Sequence, residues 1–404
     1  MLKTAVVSAK SITFVGTFRN LYLISSMNIG VDGSYAILKN NTTEGNYSKI
    51  VVDAIAECYS RHKIYAYTPW VDRRGPATTL AALPNVSVKQ PRNALSRSLW
   101  MNWSGVVSDM SRHRVNIYHG LAGRLPMRIG RSHAKAVVTI HGLAFKHYPG
   151  DYSLSDRIKR GWAMASACRH ADAIVATSQH TRDDLLSLMG IDADKIHVVY
   201  PAVDRRFLGR IVPAEFDAVR NKYKLPSRYV LVVSSLLEHK NIQAVLQAMK
   251  QMQDHDINLV LVGNATNYYT NVLRPLAKRN HLMHRVLHIS RAHAMDMPSI
   301  YRMADALVAP SRCEGFGLTV IEAQACGVPV ITTSDTALEE AAGSAALFFA
   351  PDDIDTLASH LDRVLSDESL RQQLIGGGRQ NIERFTYQTL ADNLDTLYHS
   401  LLER

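Results

Sequence analysis

The chain has 404 residues, 47% of them hydrophobic and 20% charged, with a formal net charge of +10. This length exceeds what one hydrophobic core usually supports, which predicts two domains of about 180–200 residues each. The composition excludes a disordered protein, and no apolar run approaches the roughly 20 residues needed to cross a bilayer.

The positive charge fits anionic partners such as nucleotides, nucleic acid or acidic lipid, and it fits ordinary solubility equally well. The basic–aromatic interleaving typical of nucleic-acid binders is missing, so nucleic acid is not an expected partner. The four cysteines are widely spaced and form no C-x-x-C pair, which indicates reduced thiols and a cytoplasmic protein. They are Cys58, Cys168, Cys313 and Cys326.

The first 26 residues contain short apolar pieces that loosely resemble a signal peptide. Lys10 and Arg19 interrupt the apolar region, and no small-x-small cleavage site follows it. We interpret residues 1–26 as an extension upstream of a start at Met27; an ordered extra segment is the alternative.

From residue 27 onward, short β-rich apolar runs alternate with longer amphipathic stretches, which predicts a parallel sheet covered on both faces by helices. The predicted strands of the first half are Asn28–Val31, Ile64–Tyr67, Val86–Val88, Ile117–His119, Ala136–Ile140, Ala173–Ala176 and Ile196–Val199. The predicted helices between them include Tyr47–Ser60, Asp156–Arg169 and Thr181–Met189.

The second half repeats this alternation. Its predicted strands are Tyr229–Ser234, Asn258–Val262, Val286–Ile289, Ala306–Ala309, Val330–Thr332 and Ala346–Phe349, with helices beginning near Asn241, Thr270, Met297, Leu318, Leu338 and Ile354. The polar, proline-punctuated segment from Pro201 to Pro226 predicts the domain linker. We therefore divide the chain into an extension (1–26), a first Rossmann-like domain (27–205), a linker (206–226), a second Rossmann-like domain (227–385) and a closing helix (386–404).

The segment from Ser311 to Ala323 carries the strongest chemical signal. It follows a predicted strand and opens a helix, and Gly315 and Gly317 allow the backbone to approach a ligand closely. The free N–H groups at the start of that helix suit a diphosphate, and Glu314 and Glu322 lie on either side to accept hydrogen bonds from sugar hydroxyls. A glycine-rich turn with two solvated acids is the alternative interpretation.

This pair of glutamates around Gly-Phe-Gly resembles the signature of the GT4-type retaining glycosyltransferases (group 1) of the GT-B fold. The resemblance extends over nearly the whole chain. It includes Val198–Asp204, the loop from Val233 to Ile242, and the Thr139-Ile140-His141-Gly142 turn. It implies two Rossmann-like domains facing across a cleft, with the closing helix crossing back to the first domain.

The resemblance also implies roles for individual residues. His141, Glu314 and Lys240 would act at the reacting centre, Lys240 by neutralising the departing diphosphate. Glu322 would bind the nucleotide ribose, and Gly45 and His119 would lie on the acceptor side. The remaining donor-binding residues would be Gly315, Phe316, Gly317, Leu318, Thr319, Ser235 and Ser290.

The sequence departs from the family pattern at three places. The phosphate loop commonly pairs an arginine with the lysine, but Ser235 and His239 occupy those positions here, which leaves Arg291 or Arg312 as replacement cations. Gly142 stands where an aspartate usually follows the family histidine. The acceptor loop around Thr42–Tyr47 has one glycine where several are common.

The family chemistry implies front-face attack by an acceptor hydroxyl, with retention of configuration. No D-x-D pair lies in a suitable turn, so we expect no metal and no cofactor beyond the nucleotide-diphosphate sugar donor. We expect transfer of a hexosyl group from GDP-mannose or a UDP-sugar to a saccharide or lipid-linked saccharide in cell-surface polysaccharide synthesis. A nucleotide-sugar epimerase and a catalytically silent nucleotide-sugar-binding subunit remain alternatives.

The expected location is the cytoplasm, with peripheral contact to an anionic membrane at the inner face of the plasma membrane as a further hypothesis. Lys146, Arg157, Lys159 and Arg160 are the cations that would meet the lipid, and an ordinary solvated face is the alternative.

Overall fold

The computed structural model of the chain describes residues 26–38, 42–71, 80–91, 100–101, 105–210 and 212–403. The proposed extension 1–26 lies outside these ranges except for its last residue. Within the described ranges, the strands form two separate sheets in which every paired neighbour is parallel. The prediction of two Rossmann-like units is therefore confirmed.

The first sheet has seven strands in the order β3-β2-β1-β4-β5-β6-β7. All seven predicted strands are present, with small differences at their ends. Their apolar residues are buried because helices cover the sheet, as continuous rather than alternating apolar runs predict. The strands are β1 (Asn28–Asp32), β2 (Lys63–Tyr67), β3 (Val86–Lys89), β4 (Ile117–Gly120), β5 (Lys135–Ile140), β6 (Ala173–Ala176) and β7 (Ile196–Val198).

The helices of the first unit connect these parallel strands. They are α1 (Ser34–Leu38), α2 (Thr43–Cys58), α3 (Gly105–Arg112), α4 (Ala144–His147), α5 (Leu154–His170) and α6 (Gln179–Met189). Side-chain caps fix where α2, α5 and α6 begin, because Thr42, Ser153 and Ser178 each accept a hydrogen bond from a main-chain N–H of the first turn.

The second sheet has six strands in the order β10-β9-β8-β11-β12-β13. They are β8 (Tyr229–Val233), β9 (Asn258–Val262), β10 (Val286–Ile289), β11 (Ala306–Ala309), β12 (Val330–Thr333) and β13 (Leu347–Phe349). The helices around them are α7 (Pro213–Tyr223), α8 (Ile242–Gln251), α9 (Arg274–Arg279), α10 (Met297–Arg302), α11 (Leu318–Ala325), α12 (Ala337–Ala342), α13 (Ile354–Ser366) and α14 (Glu368–Asn381).

The last helix, α15 (Tyr387–Leu402), packs on α2 and joins the core of the first unit. Its buried residues recur at the spacing of one helical face, among them Leu390, Leu394 and Leu397. Tyr59 of the first unit also donates a hydrogen bond of 2.6 Å from its hydroxyl to Asp392. The crossing helix that the family resemblance implies is therefore confirmed.

The segment predicted as a linker contains more structure than its composition indicates. Helix α7 lies within it, and Pro213 occupies its first turn, where a missing N–H costs nothing. Phe207, Val219 and Leu225 are buried in the core of the second unit. These three core residues are spread among polar ones, so the composition of the segment does not reveal them.

Among the described residues, no helix is both long enough and apolar enough to cross a membrane.

Candidate functional site

The two units meet where strands of both sheets end. His141 directly follows β5, and Glu314 and Gly315 lie in the loop between β11 and α11. The backbones touch there: a Cβ atom on Gly315 would lie 1.4 Å from the carbonyl oxygen of His141. Two threonines of the first unit, Thr177 and Thr181, donate hydrogen bonds of 3.0 Å to the carbonyl of Gly315. Only glycine permits this approach, which brings the two predicted halves of the site together.

Lys240 and Glu314, both predicted at the reacting centre, form an ion pair of 2.6 Å between Nζ and Oε1. The Ser311 hydroxyl donates a second hydrogen bond of 2.9 Å to the same oxygen. Burial alone would raise the pKa of Glu314, but the charge and hydrogen bonds of Lys240 and Ser311 outweigh it and lower that pKa. Glu314 is therefore a carboxylate, which can accept hydrogen bonds from hydroxyl groups.

The start of α11 has the geometry that an anion site requires. Gly317 is its N-cap residue with φ of +122°, and a Cβ there would lie 2.8 Å from Leu338. Leu318 and Thr319 form the half-buried first turn, whose N–H groups have no partner within the helix. The ring of Phe316 is buried against Tyr200 and Phe385, so only its backbone faces this site.

Glu322 lies on α11 and is almost completely buried, with 9% of its surface exposed. The hydroxyl of Tyr301 donates a hydrogen bond of 2.8 Å to its Oε2 atom. Burial raises the pKa of Glu322 to about 7, although the charge of Arg206 and the Tyr301 hydrogen bond act in the opposite direction. Near neutral pH this carboxyl group is therefore close to half protonated, and its acceptor strength depends on pH.

His141 is held in a defined orientation. Its Nε2 donates a hydrogen bond of 2.7 Å to the carbonyl of Leu121, and its ring packs edge-on against Tyr47. Burial lowers the pKa of His141, outweighing that hydrogen bond and the charge of Glu44. The ring is therefore neutral, with its Nδ1 atom left as a hydrogen-bond acceptor.

Ser235 and Ser290 are exposed residues in loops that follow strands of the second sheet. Ser235 lies in the loop after β8, and Ser290 follows β10. Both loops end at the edge where the carboxyl ends of the parallel strands meet, which is where ligands of such sheets bind. Their contacts with a donor stay a prediction.

One of the two acceptor-side predictions, His119, needs correction. His119 is fully buried, and both ring nitrogens are occupied at 2.7 Å, Nδ1 by the Tyr398 hydroxyl and Nε2 by Thr139. Burial first and the neighbouring His141 second lower the pKa of His119 to about 3. His119 therefore ties the crossing helix to the first sheet. Gly45 lies in the first turn of α2, and its place on the acceptor side stays a prediction.

The departures from the family pattern have physical explanations. Gly142 has φ of +125°, and a Cβ there would lie 3.0 Å from Gly315, so an aspartate does not fit. His239 does not replace the missing arginine, because burial and the adjacent Lys240 lower its pKa and keep it neutral. Arg312 forms an ion pair with Asp352, while Arg291 is exposed.

Two carboxylates that link the units, Asp151 and Glu340, were not predicted from the sequence. Asp151 of the first unit accepts hydrogen bonds from the N–H groups of Glu238 and His239, at 2.9 and 3.0 Å. Glu340 of the second unit accepts from the N–H groups of Gln179 and His180, at 2.7 and 2.8 Å. No motif or periodicity marks either residue, because both bind main-chain groups of the other unit.

Two family models match consecutive parts of the chain. "Glycosyltransferase Family 4" matches residues 49–207, and "Glycosyl transferases group 1" matches residues 215–381. The O-antigen chain mannosyltransferase B of Escherichia coli is 29% identical over 289 residues, covering 70% of this chain and 74% of the relative. The D-inositol 3-phosphate glycosyltransferase of Xylanimonas cellulosilytica is 31% identical over 243 residues, covering 58% of each chain.

Solved structures share the fold. A glycosyltransferase from Rickettsia africae superposes with a TM-score of 0.72 at 19% identity, covering 94% of this chain and 100% of the other. HepE of Anabaena, solved in complex with UDP and glucose, superposes with a TM-score of 0.70 at 20% identity, covering 93% and 100%. The architecture of two parallel sheets with a crossing helix is thus the GT-B fold.

Proposed function

The chain belongs to the GT4-type group 1 glycosyltransferases, and we propose that it moves a hexosyl group from a nucleotide-diphosphate sugar with retention of configuration. The observation that carries the proposal is the contact of Gly315 with His141, because it joins the loop of Glu314, and with it the ion-paired Lys240, to the first unit. We name GDP-mannose as the first donor to test, and a UDP-sugar as the second.

The donor groups are assigned by their chemistry. The diphosphate would lie at the first turn of α11, where Leu318 and Thr319 offer main-chain N–H groups and the helix dipole favours an anion. Lys240 lies close by through its ion pair with Glu314. Glu314, a carboxylate, would accept hydrogen bonds from sugar hydroxyls, and Glu322 would accept from the ribose when it is ionised.

The reaction exchanges one glycosidic bond for another on the same face of the sugar. The bond between the anomeric carbon and the diphosphate oxygen breaks, and the acceptor oxygen forms its bond to that carbon. The proton of the acceptor hydroxyl passes to the leaving diphosphate, so no protein nucleophile is required. Lys240 stabilises the charge that develops on the diphosphate, and His141 positions the sugar through its unprotonated Nδ1 atom.

We further propose that the reaction is independent of a metal ion and of any resident cofactor. Lys240 and the amino-terminal end of α11 supply positive charge where the diphosphate leaves, which is the task a divalent cation performs in other transferases. Among the described residues, the cluster suited to metal binding is His62, Asp395 and His399, and it joins the crossing helix to the first unit, away from the loop of Glu314.

The proposed acceptor is a saccharide or lipid-linked saccharide of cell-surface polysaccharide, used at the cytoplasmic side of the plasma membrane. Support comes from relatives whose names describe mannosyl transfer to O-antigen chains, from Escherichia coli and Salmonella typhimurium. HepE of Anabaena has been solved with UDP-glucose, which supports a nucleotide-sugar donor. Peripheral contact with an anionic membrane belongs to this proposal.

The test is a thermal-shift and hydrolysis screen of GDP-mannose, UDP-glucose and ADP-glucose, with and without EDTA. Glu322→Ala is compared with Glu383→Ala, which removes an exposed carboxylate of the second unit. We expect one donor to raise the melting temperature by several degrees and to be hydrolysed slowly, with both effects lost in Glu322→Ala alone. NMR of the transferred sugar then gives the anomeric configuration.

Other outcomes identify the alternatives. Epimerised sugar without transfer to any acceptor would establish an epimerase, and nucleotide-sugar binding without cleavage would establish a silent binding subunit. Loss of hydrolysis with EDTA, restored by a divalent cation, would overturn metal independence. An inverted product would overturn the proposed front-face reaction.

A further inference from the structure

Helix α5 carries three large apolar side chains on its outer surface. Leu154, Ile158 and Trp162 are 67%, 63% and 60% exposed, and they follow one another at intervals of four residues. Residues four apart lie on the same face of a helix, so the three form one continuous strip, here called the apolar stripe. Single exposed apolar residues are ordinary, but an aligned strip marks a surface that binds something.

The amino-terminal part of α5 stands away from the body of the protein. Every residue from Ser153 to Arg160 is exposed, and the buried residues of the helix, Ala167 and Cys168, lie at its other end. Packing against the core therefore does not explain the first two turns. They are stabilised locally, because Ser153 accepts a hydrogen bond from the N–H of Asp156.

Basic residues flank the apolar stripe. At 100° per residue, Arg157 lies on one side of the stripe and Lys159 on the other, and both are exposed. Long basic side chains beside an apolar strip can extend to phosphate groups while the strip enters the acyl region, and tryptophan favours that interface. A symmetric contact between two copies would instead bring these two cations against a second pair.

We infer that the apolar stripe docks the protein on an anionic phospholipid membrane, with Leu154, Ile158 and Trp162 inserted and Arg157 and Lys159 on the headgroups. The inference deepens the membrane contact in the proposed function by giving its residues. Its test requires no catalysis, so failure of docking and failure of the transferase proposal are separate results.

The position of α5 connects docking with the cleft. The helix begins directly after Asp151 and Tyr152, and Asp151 binds the loop that contains His239. The ring of Tyr152 stacks on that of His239 at 6.4 Å between centroids. A membrane held by the apolar stripe therefore lies beside the entrance to the cleft, where a lipid-linked acceptor would arrive.

The experiment measures co-sedimentation of the full chain with phosphatidylcholine vesicles and with mixed phosphatidylcholine–phosphatidylglycerol vesicles. The stripe variant is Ile158→Ser with Trp162→Ser, and its control is Met295→Ser, which removes an apolar side chain that is 67% exposed in the second unit. The charge variant is Arg157→Gln with Lys159→Gln. Its control is Lys250→Gln with Lys278→Gln, two exposed lysines of the second unit.

We expect binding to the anionic vesicles only, weakened by salt. The stripe variant should lose at least about tenfold in partitioning, and each neutralised cation about fivefold. Both controls should bind like the parent, and hydrolysis of soluble donor should be unchanged in every variant. A blue shift of Trp emission on anionic vesicles should be missing in Trp162→Phe.

Three results would overturn the inference. The parent chain would fail to bind anionic vesicles, or the stripe variant would bind them as the parent does. In the third result, the parent binds no vesicles and light scattering shows that it is a dimer, whereas the stripe variant is a monomer. That result would assign the surface to a contact with a second copy.

Discussion

Asp151 of the first unit accepts two hydrogen bonds from His239 of the second, one from its main-chain N–H at 3.0 Å and one from its ring Nδ1. The N–H of Glu238 adds a third at 2.9 Å. His239 belongs to the loop that also carries Lys240, so a residue of the first unit fixes the position of the predicted phosphate loop. Asp151 and Glu340 thus link the two units in both directions, each accepting hydrogen bonds from main-chain groups of the other unit.

The first prediction concerns opening of the cleft. Asp151→Ala removes three hydrogen bonds to a nearly buried carboxylate, each of the kind that contributes about 1.5–3 kcal/mol. We expect a larger radius of gyration in small-angle scattering without nucleotide, and a Michaelis constant for the donor changed severalfold. The control is Asp353→Ala, which removes a carboxylate that caps α13 within the second unit. Equal scattering of Asp151→Ala and the parent would contradict the prediction.

The contact of Asp151 with His239 should be insensitive to pH in the physiological range. Burial raises the pKa of Asp151, but the hydrogen bonds from the ring and main chain of His239 and from the N–H of Glu238 outweigh burial and hold that pKa below its usual value. The contribution of Asp151 to the free energy of unfolding is therefore fully present above the ordinary carboxyl pKa. It is lost as the pH falls through the lowered pKa of the folded state. His239 stays neutral, since burial and Lys240 lower its pKa.

Scattering between about pH 5.5 and 8 should accordingly show one radius of gyration for the parent chain. Opening within that range would mean that a group titrating near neutral pH, such as Glu322, controls the contact between the units.

Glu322 should make stability fall as the pH rises. Its pKa is raised by burial to about 7, so the stability that protonation provides is complete near pH 4.5 and is lost as the pH rises through 7. Glu322→Gln keeps an acceptor for Tyr301 and has no charge to bury. We expect the variant to be more stable than the parent by about 3 kcal/mol at pH 8 and nearly equal to it at about pH 4, below the ordinary carboxyl pKa.

Thermal melts at the two pH values provide the measurement, with Glu383→Gln as the exposed control. The same difference at both pH values would show that ionisation of Glu322 is not the cause. Donor affinity should move in the opposite direction, increasing above pH 7, because the ionised carboxylate is the stronger acceptor for the ribose hydroxyls.

Lys240 and Glu314 should depend on each other for the stability of the protein, whereas Lys240 should contribute to kcat on its own. Lys240→Met leaves Glu314 without the cation that lowers its pKa, and it removes the charge proposed to stabilise the leaving diphosphate. We expect kcat for donor hydrolysis to fall about 10²–10³-fold. Adding Glu314→Gln should restore stability, because no buried charge is then unpaired, without restoring kcat.

Lys250→Met, an exposed change on α8, should leave both quantities unchanged. Recovery of kcat in the double variant would mean that Lys240 serves only to neutralise Glu314.

The strands and most helices were predictable because their signal is local. A buried parallel strand is a short apolar run, and β6, β9, β10 and β11 have the predicted bounds. Motif spacing likewise predicted the Glu314–Glu322 segment. His119 was assigned wrongly because the sequence near the end of a strand does not distinguish a histidine that faces a ligand from one that bonds a buried group. Here the buried group is the hydroxyl of Tyr398. Asp151 was missed because its partners, two main-chain N–H groups and the ring of His239, are 87 and 88 residues away in the sequence.

The last prediction tests the contact on which the proposed site depends. Gly315→Ala adds a Cβ that would lie 1.4 Å from the carbonyl oxygen of His141, and backbone cannot yield as a flexible side chain does. The two units must then separate, and the hydrogen bonds from Thr177 and Thr181 to the carbonyl of Gly315 are lost. We expect a larger radius of gyration and donor hydrolysis reduced at least about a hundredfold.

The control is Gly376→Ala, at a glycine of α14 with nothing within 4 Å of the added Cβ. Alanine favours a helix interior over glycine, so this variant should be more stable by about 0.5–1 kcal/mol and keep full activity. If Gly315→Ala also keeps full activity and the compact radius, then the units do not need this contact for catalysis. The site would then have to be sought away from His141.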